Sequence, residues 1–529
     1  MTDSDGSGSH DCFQQKRNLL GTRALCPAFG IHAIAERKHM NEVLNKREGM
    51  MKREMARREF MKGAVGFTAI AIAMLTGGCE LTRLTTERIR NRPIRKDLAR
   101  LSPTDPIIET YKFAVTQMKA LPSGDPRNWT KQAEIHLNFC PHGNWYFLPW
   151  HRAYLHYFEE ICRELSGDNS FALPYWNWAS NPSVPSVFWG GGAGNPLFHT
   201  PRGATETSVA NAGIVGRPNL ESILNEPNFL VFASQQAVGQ RDFTGYGRLE
   251  GGPHNYVHGF VGGTMGTFLS PLDPIFWTHH NMIECCWVNW NLTRQHPNTN
   301  DSNWLGHSFT EFADRTGNPV SLTVNQTLLF PLFAYQFEEC FPDPVSVRRK
   351  AFSDRELEDF VRRGARVKLE FIDRAVLQEE MLLEIQRPLS KPLLLKGDSR
   401  SLLSKATTSD RVLLTVGDIA LPHGSDMYVR VFINRPDANE STPIDDPHYA
   451  GSFAFFDGHQ ASGKPSVGTF IVDLTDAVGR LKNAGQLMSS DGKPTIQLVA
   501  VPHQNRDLAE RQFRIGRLEL GIAKPPSLE

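Results

Sequence analysis

The sequence predicts a multidomain α + β protein, in which a mainly α-helical bundle is followed by an antiparallel β-sandwich. In the first half, apolar residues recur at helical spacing after Thr104, which can cap a helix. They are Ile107, Ile108, Tyr111, Val115 and Met118. In the last third, turn residues separate short β-rich runs, namely VLLTVGDIAL, MYVRVFINR, GSFAFFDG, GTFIVDLT and TIQLVAV. A chain of 529 residues is long enough for two or three such units.

Changes in composition divide the chain into four stretches. Residues 1–90 are expected to be an N-terminal extension with an export signal. Residues 91–340 are expected to form the helical part, where His- and aromatic-rich helices alternate with Gly/Pro/Asn loops. Residues 341–366 are charged and punctuated by proline, which predicts a linker with one short helix. Residues 367–529 are expected to form the β-sandwich.

The stretch ARREFMKGAVGFTAIAIAMLTGGCE, which begins at Ala56, has the features of an export signal. Its apolar run follows a basic flank and is too short for a stable membrane span. Arg57, Arg58 and the residues after them resemble a twin-arginine signal, a route for folded, cofactor-loaded proteins. We therefore expect a periplasmic or extracellular protein, or a cytoplasmic one if the signal is not used.

Other features of this stretch leave alternatives open. Met50, Met51 or Met55 could be the translation start. The residues LTGGC, which end at Cys79, resemble a lipoprotein cleavage box. A short amphipathic helix with a basic end is the alternative to a signal.

Composition excludes several classes of function. Lys plus Arg and Asp plus Glu both number 57, so no overall charge favours nucleic acid. The eight cysteines show no regular spacing and no Cys-x-x-Cys pair, which argues against a disulfide scaffold and the commonest zinc sites. The function must therefore come from local motifs.

The stretch CPHGNWYFLPWHRAYLHYFEE, residues 140–160, is unusually rich in histidine and aromatic residues. His142 and His151 are nine residues apart, which places them about 180° apart around a continuous helix. They can converge if His142 lies in a loop and His151 in the following helix. His136 would then need a separate turn.

A second group of histidines lies about a hundred residues later. His254 and His258 are four residues apart, so they project from one helix face and can bind one ion together. His279 and His280 lie on another predicted helix, and periodicity does not choose between them.

These two groups predict a metal centre. Each histidine alone could be a hydrogen-bonded core residue, and one set of three could be a hydrolytic zinc site. All-imidazole sets favour copper, zinc, nickel or iron over magnesium or calcium. Two sets on facing helices of a bundle indicate a dinuclear centre.

The motifs HGNWYFLPWHRAYLHYFE and DPIFWTHH resemble the two copper-site signatures of the tyrosinase, catechol oxidase and haemocyanin family. The resemblance implies two copper ions, with His279 as a neighbour and His156 as a structural residue. Glu284 and Cys285 depart from the usual Asp and Arg of the second signature. The implied ligands are His136, His142 and His151 for one ion, and His254, His258 and His280 for the other.

The same resemblance implies a covalent feature at Cys140. Family members often carry a cysteine two residues before the second ligand, bonded through sulfur to that imidazole. Cys140 stands in this position before His142. The alternative is a free buried thiol, which is common for cysteine.

The implied activity is the oxidation of small phenols with O₂ as co-substrate. Tyrosinases hydroxylate monophenols to o-diphenols and oxidise these to o-quinones, whereas catechol oxidases perform only the second reaction.

Glu250 and Asn255 match the tyrosinase pair thought to orient a water that takes the phenol proton. Glu250 could instead cap a helix, and Asn255 could be a polar surface residue. Phe276 matches an aromatic residue that overhangs the site, or it simply belongs to the core.

The C-terminal part resembles the cover domain of many polyphenol oxidases, mainly through VRVFINRPDANESTPIDDPHYAGSFAFFDGH. Tyr335-x-Phe337 matches the motif that closes the catalytic domain. In relatives the cover inserts an apolar side chain and makes the enzyme latent, and Phe453, Phe455 or Phe456 is the candidate here. At least two of these three are expected to fill the sandwich core. The cover is thus an intramolecular partner, and self-association stays open.

A haemocyanin-like oxygen carrier is the alternative from another functional class. An export signal and a single copper domain in the chain argue against a circulating carrier. No nucleic-acid partner is expected.

Overall fold

The structure is a computed structural model that describes residues 92–339, 364, 371–385, 387–392, 410–421, 426–456, 467–487, 494–503 and 512–524. The predicted extension 1–90, with the export signal and Cys79, lies outside the described residues. The predicted linker 341–366 also lies outside them, apart from Gly364.

The first part of the chain is mainly helical, as predicted. Its helices are α1 Pro106–Ala120, α2 Trp129–Phe139, α3 Phe147–Ser166, α4 Ala212–Val215, α5 Arg217–Leu224, α6 Phe229–Phe232, α7 Asn255–Val261, α8 Ile275–Val288, α9 Ser302–Gly306, α10 Val324–Thr327 and α11 Phe330–Phe333. Two small sheets accompany them. Strand β1 (Ile94–Arg95) pairs in parallel with β4 (Gln336–Phe337), and β2 (Ser308–Phe309) pairs with β3 (Leu322–Thr323).

Helix α1 shows how local sequence sets the helix ends. Its cap is Asp105 and not the predicted Thr104, because Pro106 takes the first helical position. The Asp105 carboxylate accepts a hydrogen bond from the N–H of Ile107 at 2.9 Å. Ile108 and Tyr111 are buried, as the helical spacing predicts.

Helices α3 and α8 form the centre of the helical part. Phe158 of α3 stacks on Trp277 of α8 with ring centroids 3.6 Å apart. Arg152 of α3 pairs with Glu284 of α8 at 2.9 Å, and both side chains are buried. Loss of one partner of a buried ion pair costs about 3–5 kcal/mol. The ion pair and the stacked rings therefore hold the two helices in one relative position.

The C-terminal part is an antiparallel sandwich of two four-stranded sheets, ordered β10-β7-β12-β5 and β6-β11-β8-β9. The strands are β5 Phe371–Glu384, β6 Leu389–Pro392, β7 Arg411–Ala420, β8 Met427–Ile433, β9 Tyr449–Ala454, β10 Val467–Asp473, β11 Thr495–Pro502 and β12 Gln512–Ala523, with helix α12 at Thr475–Asn483. One apolar core joins both sheets and includes Leu414, Val431, Leu498 and Leu518. The predicted fold class is confirmed.

Strands β5 and β12 were not predicted. Their sequences, FIDRAVLQEEMLLE and QFRIGRLELGIA, are rich in residues that favour helices or interrupt apolar alternation. Strand β12 pairs with both β5 and β7, so tertiary pairing overrides local preference here.

Among the contacts that join the sandwich to the helical part, two sets lie at Tyr246 and at Arg411. The N–H of Tyr246 donates to the carbonyl of Thr469 at 2.8 Å, and its ring stacks on Phe470 with centroids 4.8 Å apart. The second set is an interface ion cluster of two residues from each part.

In this interface ion cluster, Arg411 lies 3.0 Å from Glu226 and Arg248 lies 3.0 Å from Asp473. Arg411 also contacts Asp473. Burial alone would raise the pKa of Asp473, but Arg248 and Arg411, together with hydrogen bonds from Thr475, outweigh it and lower that pKa. The cluster is therefore a charged contact between the two parts of the protein.

Among the described residues, no helix combines the length and the apolar character needed to cross a membrane.

Candidate dinuclear metal centre

The first three histidines come from two helices and the loop between them. His136 lies in the last turn of α2, His142 in the loop after Cys140, and His151 in the second turn of α3. This is the loop-and-helix arrangement that the nine-residue spacing requires. The ring centroids of this triad lie 5.4–5.6 Å apart.

The second triad comes from α7 and α8. His254 ends a π-helical turn that is kinked at Gly252, and His258 follows one turn later in α7. Their ring centroids are 4.6 Å apart, and His280 of α8 lies 4.9 Å from His254 and 5.3 Å from His258. The two triads meet where His151 stacks on His280 at 4.3 Å.

Hydrogen bonds fix the direction of the imidazoles. The Nδ1 atoms of His136, His151 and His258 lie 2.6–2.8 Å from backbone carbonyls. Because a carbonyl only accepts, each Nδ1 carries the proton and each Nε2 keeps its lone pair. The Nδ1 of His254 lies 2.9 Å from the side-chain oxygen of Asn255, with the same consequence.

The inward-facing nitrogens fit metal ions. The Nε2 atoms of His136, His142, His151 and His254 are buried and have no hydrogen-bond partner. The Nε2 atoms of His258 and His280 face each other at 3.2 Å. Because the Nδ1 of His258 carries that ring's proton, the Nε2 of His280 donates in this contact, and a bound metal ion would take the place of that proton. The residues present therefore fit a pair of metal ions bound by imidazole.

Burial keeps these imidazoles neutral. Desolvation lowers the pKa of all six rings, to about 3 for His151 and about 4 for His258. A neutral imidazole is the form that binds a metal.

His279 adjoins the second triad, with a nitrogen within 4.8 Å of nitrogens of His254, His258 and His280, whereas His156 lies elsewhere. The His279 ring contacts His254 at 5.4 Å and His258 at 5.0 Å, but it makes no ring contact with the first triad. His280 contacts both triads and is the better bridge between them. His156 packs on Phe330 at 4.2 Å, away from the site.

Cys140 is buried beside the first triad, and its thiol is free in this structure. Its sulfur lies within 4.8 Å of a nitrogen of His136 and of His142. Burial raises the pKa of the thiol well above its usual value.

The carboxylate of Glu250 makes hydrogen bonds within the protein and does not serve only to orient a water. One of its oxygens accepts hydrogen bonds from the Nδ1 of His142 at 3.0 Å and from the N–H of Gly143 at 2.9 Å. The other accepts from the hydroxyl of Ser234. Burial raises the pKa of Glu250 well above its usual value. Glu250 therefore orients the loop imidazole, a contact that no local signal in the sequence indicates.

Asn255 is likewise engaged within the protein. Its oxygen accepts from His254, and its amide donates to the carbonyl of Ala454 at 2.9 Å. Asn255 is thus buried, not a surface residue, and it links a ligand candidate to strand β9.

Aromatic side chains form the walls of the site. Phe276 is fully buried and contacts His136 at 5.0 Å and His280 at 4.2 Å, one ring from each triad. Phe268 contacts His142 at 5.5 Å and also offers its carbonyl to His136. Sequence reasoning missed Phe268, since a lone phenylalanine in a loop carries no recognisable pattern.

Phe456 covers the site from the sandwich side. Its ring centroid lies 4.6 Å from that of His142, 4.7 Å from His258 and 5.2 Å from Phe268. Phe453 and Phe455 instead belong to the sandwich core. The three phenylalanines thus divide as the sequence suggested, with two in the core and one over the imidazoles.

Fold and site together define a class of protein in which a helical part carries a buried cluster of histidines, able to bind metal, under a β-sandwich cover. A family profile described as the common central domain of tyrosinase matches residues 111–212 and 192–293. Residues 111–293 therefore match the tyrosinase family, and the chain is similar to tyrosinases and polyphenol oxidases. This is a family of oxidoreductases.

Individual relatives show how far the similarity extends. A tyrosinase of Hahella sp. (strain CCB-MM4) is 27% identical over 476 residues, which cover 79% of this chain and 97% of that protein. The chloroplastic polyphenol oxidase A1 of Vicia faba is 29% identical over 295 residues, 47% of this chain and 48% of that protein. The match therefore spans about half the length of the Vicia faba relative.

A solved structure supports the fold alone. The latent aurone synthase, a polyphenol oxidase, aligns with a TM-score of 0.60 at 21% identity. The alignment covers 82% of this chain and 90% of that one.

Proposed function

We propose that the protein is a copper-dependent oxidase of small phenols that uses O₂ as co-substrate. In this proposal it hydroxylates monophenols to o-diphenols and oxidises o-diphenols to o-quinones. The observation that carries it is the convergence of six neutral, buried imidazoles with their Nε2 atoms turned inward. Two copper ions held in this way would supply the two-electron redox chemistry with O₂ that phenol oxidation needs.

The proposed ligands are His136, His142 and His151 for one copper, and His254, His258 and His280 for the other. The Nδ1 hydrogen bonds hold each ring in position before the metal binds, which lowers the cost of ordering the site. The walls of Phe268 and Phe276 exclude water from the reacting ring and favour an aromatic substrate.

Cys140 is proposed to form a thioether with His142. The new carbon–sulfur bond removes two electrons and two protons from the two side chains, and O₂ is the acceptor. The proximity of the thiol to His142 supports the proposal. The bond would hold the loop imidazole, which also receives support from Glu250.

Hydroxylation requires that the phenol lose its proton near the metal. We propose Glu250 and Asn255 as the groups that position a proton acceptor there. One observation favours the second candidate, a catechol oxidase without monophenolase activity: the described structure engages both oxygens of Glu250 and both polar atoms of Asn255 within the protein.

Latency is proposed to follow from the position of Phe456. A substrate ring that reaches the imidazoles must take the volume that this side chain fills. The intact protein should therefore be nearly inactive until the cover moves.

Oxygen uptake tests these proposals. The copper-loaded protein is assayed with tyrosine and with catechol, before and after limited proteolysis within residues 341–366. Turnover of both phenols after cleavage is expected. Turnover of catechol alone would establish the second candidate, and reversible oxygen binding without turnover would establish an oxygen carrier.

A further inference from the structure

A cleft of about 430 Å³ lies between the helical part and the sandwich. The helical part contributes Tyr256 and Phe260 of α7, and the sandwich contributes Tyr428 of β8 and His503, which directly follows β11. None of the six histidines of the two triads lines it. Tyr256 lies midway between two of those histidines along α7, about 200° around the helix from each, so it faces the opposite side. The cleft is therefore separate from the candidate metal centre.

Aromatic rings form the buried wall of this cleft. The ring centroid of Tyr256 lies 5.2 Å from that of Tyr428 and 4.9 Å from that of His503. Phe260 stacks on Tyr256 with centroids 6.1 Å apart. Val209, which is 58% exposed, lines the cleft at its mouth. The size and the aromatic wall fit a small molecule that carries a ring.

Asn211 fixes the direction of two hydroxyl groups in this wall. Its backbone N–H donates to the Tyr256 hydroxyl oxygen at 2.8 Å, and its side-chain amide donates to that of Tyr428 at 3.0 Å. The side-chain oxygen of Asn211 accepts from the N–H of Gly213 as the cap of α4, so its nitrogen must face Tyr428. Each tyrosine oxygen thus accepts one hydrogen bond and keeps its own O–H proton for another.

Both O–H groups remain available as donors. Burial raises the pKa of Tyr256 and the pKa of Tyr428, so both hydroxyls are protonated at neutral pH. Within the described part of the chain, the hydrogen bonds of these two hydroxyls are those from Asn211, and no protein atom accepts from either O–H. A ligand oxygen beside them would accept from two converging donors.

Glu440 is the only acidic residue that lines the cleft, and no lysine or arginine lines it. Arg430 of β8 is buried nearby, but its Nη atoms donate to the backbone carbonyls of Glu440 and Thr442 at 2.9 and 2.5 Å. The charges of Arg430 and Glu440 act in opposite directions on the pKa of Tyr428. The cleft therefore offers two O–H donors and one carboxylate acceptor to a ligand.

We infer that this cleft is a second binding site, which takes a small neutral aromatic amide. The amide oxygen accepts from the O–H groups of Tyr256 and Tyr428, and the amide N–H donates toward Glu440. A carboxylate in this position lacks the N–H and is repelled by Glu440, whereas an amidinium lacks the acceptor. The site is independent of the proposed phenol oxidation. Because its ligand contacts both parts of the protein, occupancy favours their association.

Three probes of the same shape test the chemical class, namely benzamide, benzoate and benzamidinium. Their affinities for the copper-free intact chain are measured by ligand-observed NMR titration. Benzamide should bind most tightly, because it alone is neutral and carries both an acceptor and a donor. Equal affinity for the three probes, tighter binding of either ion, or no binding of benzamide would overturn the inference.

Substitutions in the cleft test the predicted contacts. Tyr428→Phe keeps the ring but removes one O–H group, and it should weaken benzamide binding about fivefold. Glu440→Gln removes the charge but keeps an acceptor, so it should strengthen benzoate binding about threefold and leave benzamide binding unchanged. Tyr157→Phe is the matched control, because its ring stacks on Phe312 and does not line the cleft. Benzamide binding that Tyr428→Phe and Tyr157→Phe affect equally would contradict the assignment.

Val209→Trp places a large ring at the mouth of the cleft without altering the buried hydrogen bonds. This variant should no longer bind benzamide. Benzamide should raise the thermal midpoint of the wild-type chain and leave that of Val209→Trp unchanged. Undiminished binding to Val209→Trp would reject the cleft as the site. These measurements need neither copper nor turnover, so their failure would leave the proposed phenol oxidation standing, and failure of phenol oxidation would leave the cleft standing.

Discussion

Replacement of Phe456 by alanine should allow the intact protein, which is proposed to be latent, to turn over substrate without proteolysis. The ring is buried and packs between His142, His258 and Phe268. Alanine leaves the strand in place but empties the volume over the imidazoles. A diphenol could then enter while the rest of the cover stays attached.

The size of the effect follows from what the ring contributes. Burial of a phenylalanine side chain is worth about 1.5–3 kcal/mol, and its aromatic contacts add about 0.5–1.5 kcal/mol. A substrate ring that displaces Phe456 must offset roughly 3 kcal/mol from these contacts, which corresponds to about two orders of magnitude in apparent affinity. We expect the apparent KM of the intact chain for a neutral diphenol to fall about 100-fold in Phe456→Ala.

Steady-state oxygen uptake with the intact chain measures this change. Phe453→Ala is the matched control, because it removes the same atoms from the same segment but affects the sandwich core, where Phe453 stacks on Phe470 at 4.5 Å. It should lower the thermal midpoint and leave KM near the wild-type value. Equal activation by both variants, or no activation by Phe456→Ala, would refute the proposal that Phe456 blocks access to the site.

Four further outcomes are expected. His258→Ala should lose about one copper per chain by elemental analysis, and unchanged copper content would contradict its role as a ligand. Asp473→Asn should lower the thermal midpoint at pH 7, where breaking a buried ion contact costs about 3 kcal/mol. Because the folded state lowers the pKa of Asp473, this stabilisation is present above the usual carboxyl range and disappears as pH falls through the lowered pKa. The difference from wild type should therefore shrink as the pH falls below the usual carboxyl range, and a constant difference would exclude an ionic cause. The copper-loaded, air-exposed protein should yield a peptide that contains Cys140 joined to the loop histidine and lacks the mass of two hydrogens, whereas free peptides would exclude the thioether. Lysines in place of the arginines at 57 and 58 should abolish export in a cell fractionation assay, and normal export would exclude the twin-arginine route.

Local sequence patterns predicted much of the site. The four-residue spacing of His254 and His258 determines that they share a helix face. The nine-residue spacing of His142 and His151 required a loop and a helix, and the structure has that arrangement. Short-range spacing of this kind depends only on the geometry of one helix.

The fold could be predicted less evenly. The segments that form β7 to β11 are short apolar runs separated by turn residues, and this pattern predicts strands. Strand β5 was not recognised, because its leucines, glutamates and glutamines favour a helix and only pairing with β12 makes it extended.

The sequence by itself determined which histidines could serve as ligands, the order of the two parts, and the family resemblance. Only the tertiary structure decided which of His279 and His280 contacts both triads, that Phe456 covers the site, and that Glu250 supports His142. The physical reason is the separation along the sequence over which each kind of contact acts. Helix spacing acts within one segment, whereas these choices depend on contacts between residues a hundred or more positions apart, which no local pattern encodes.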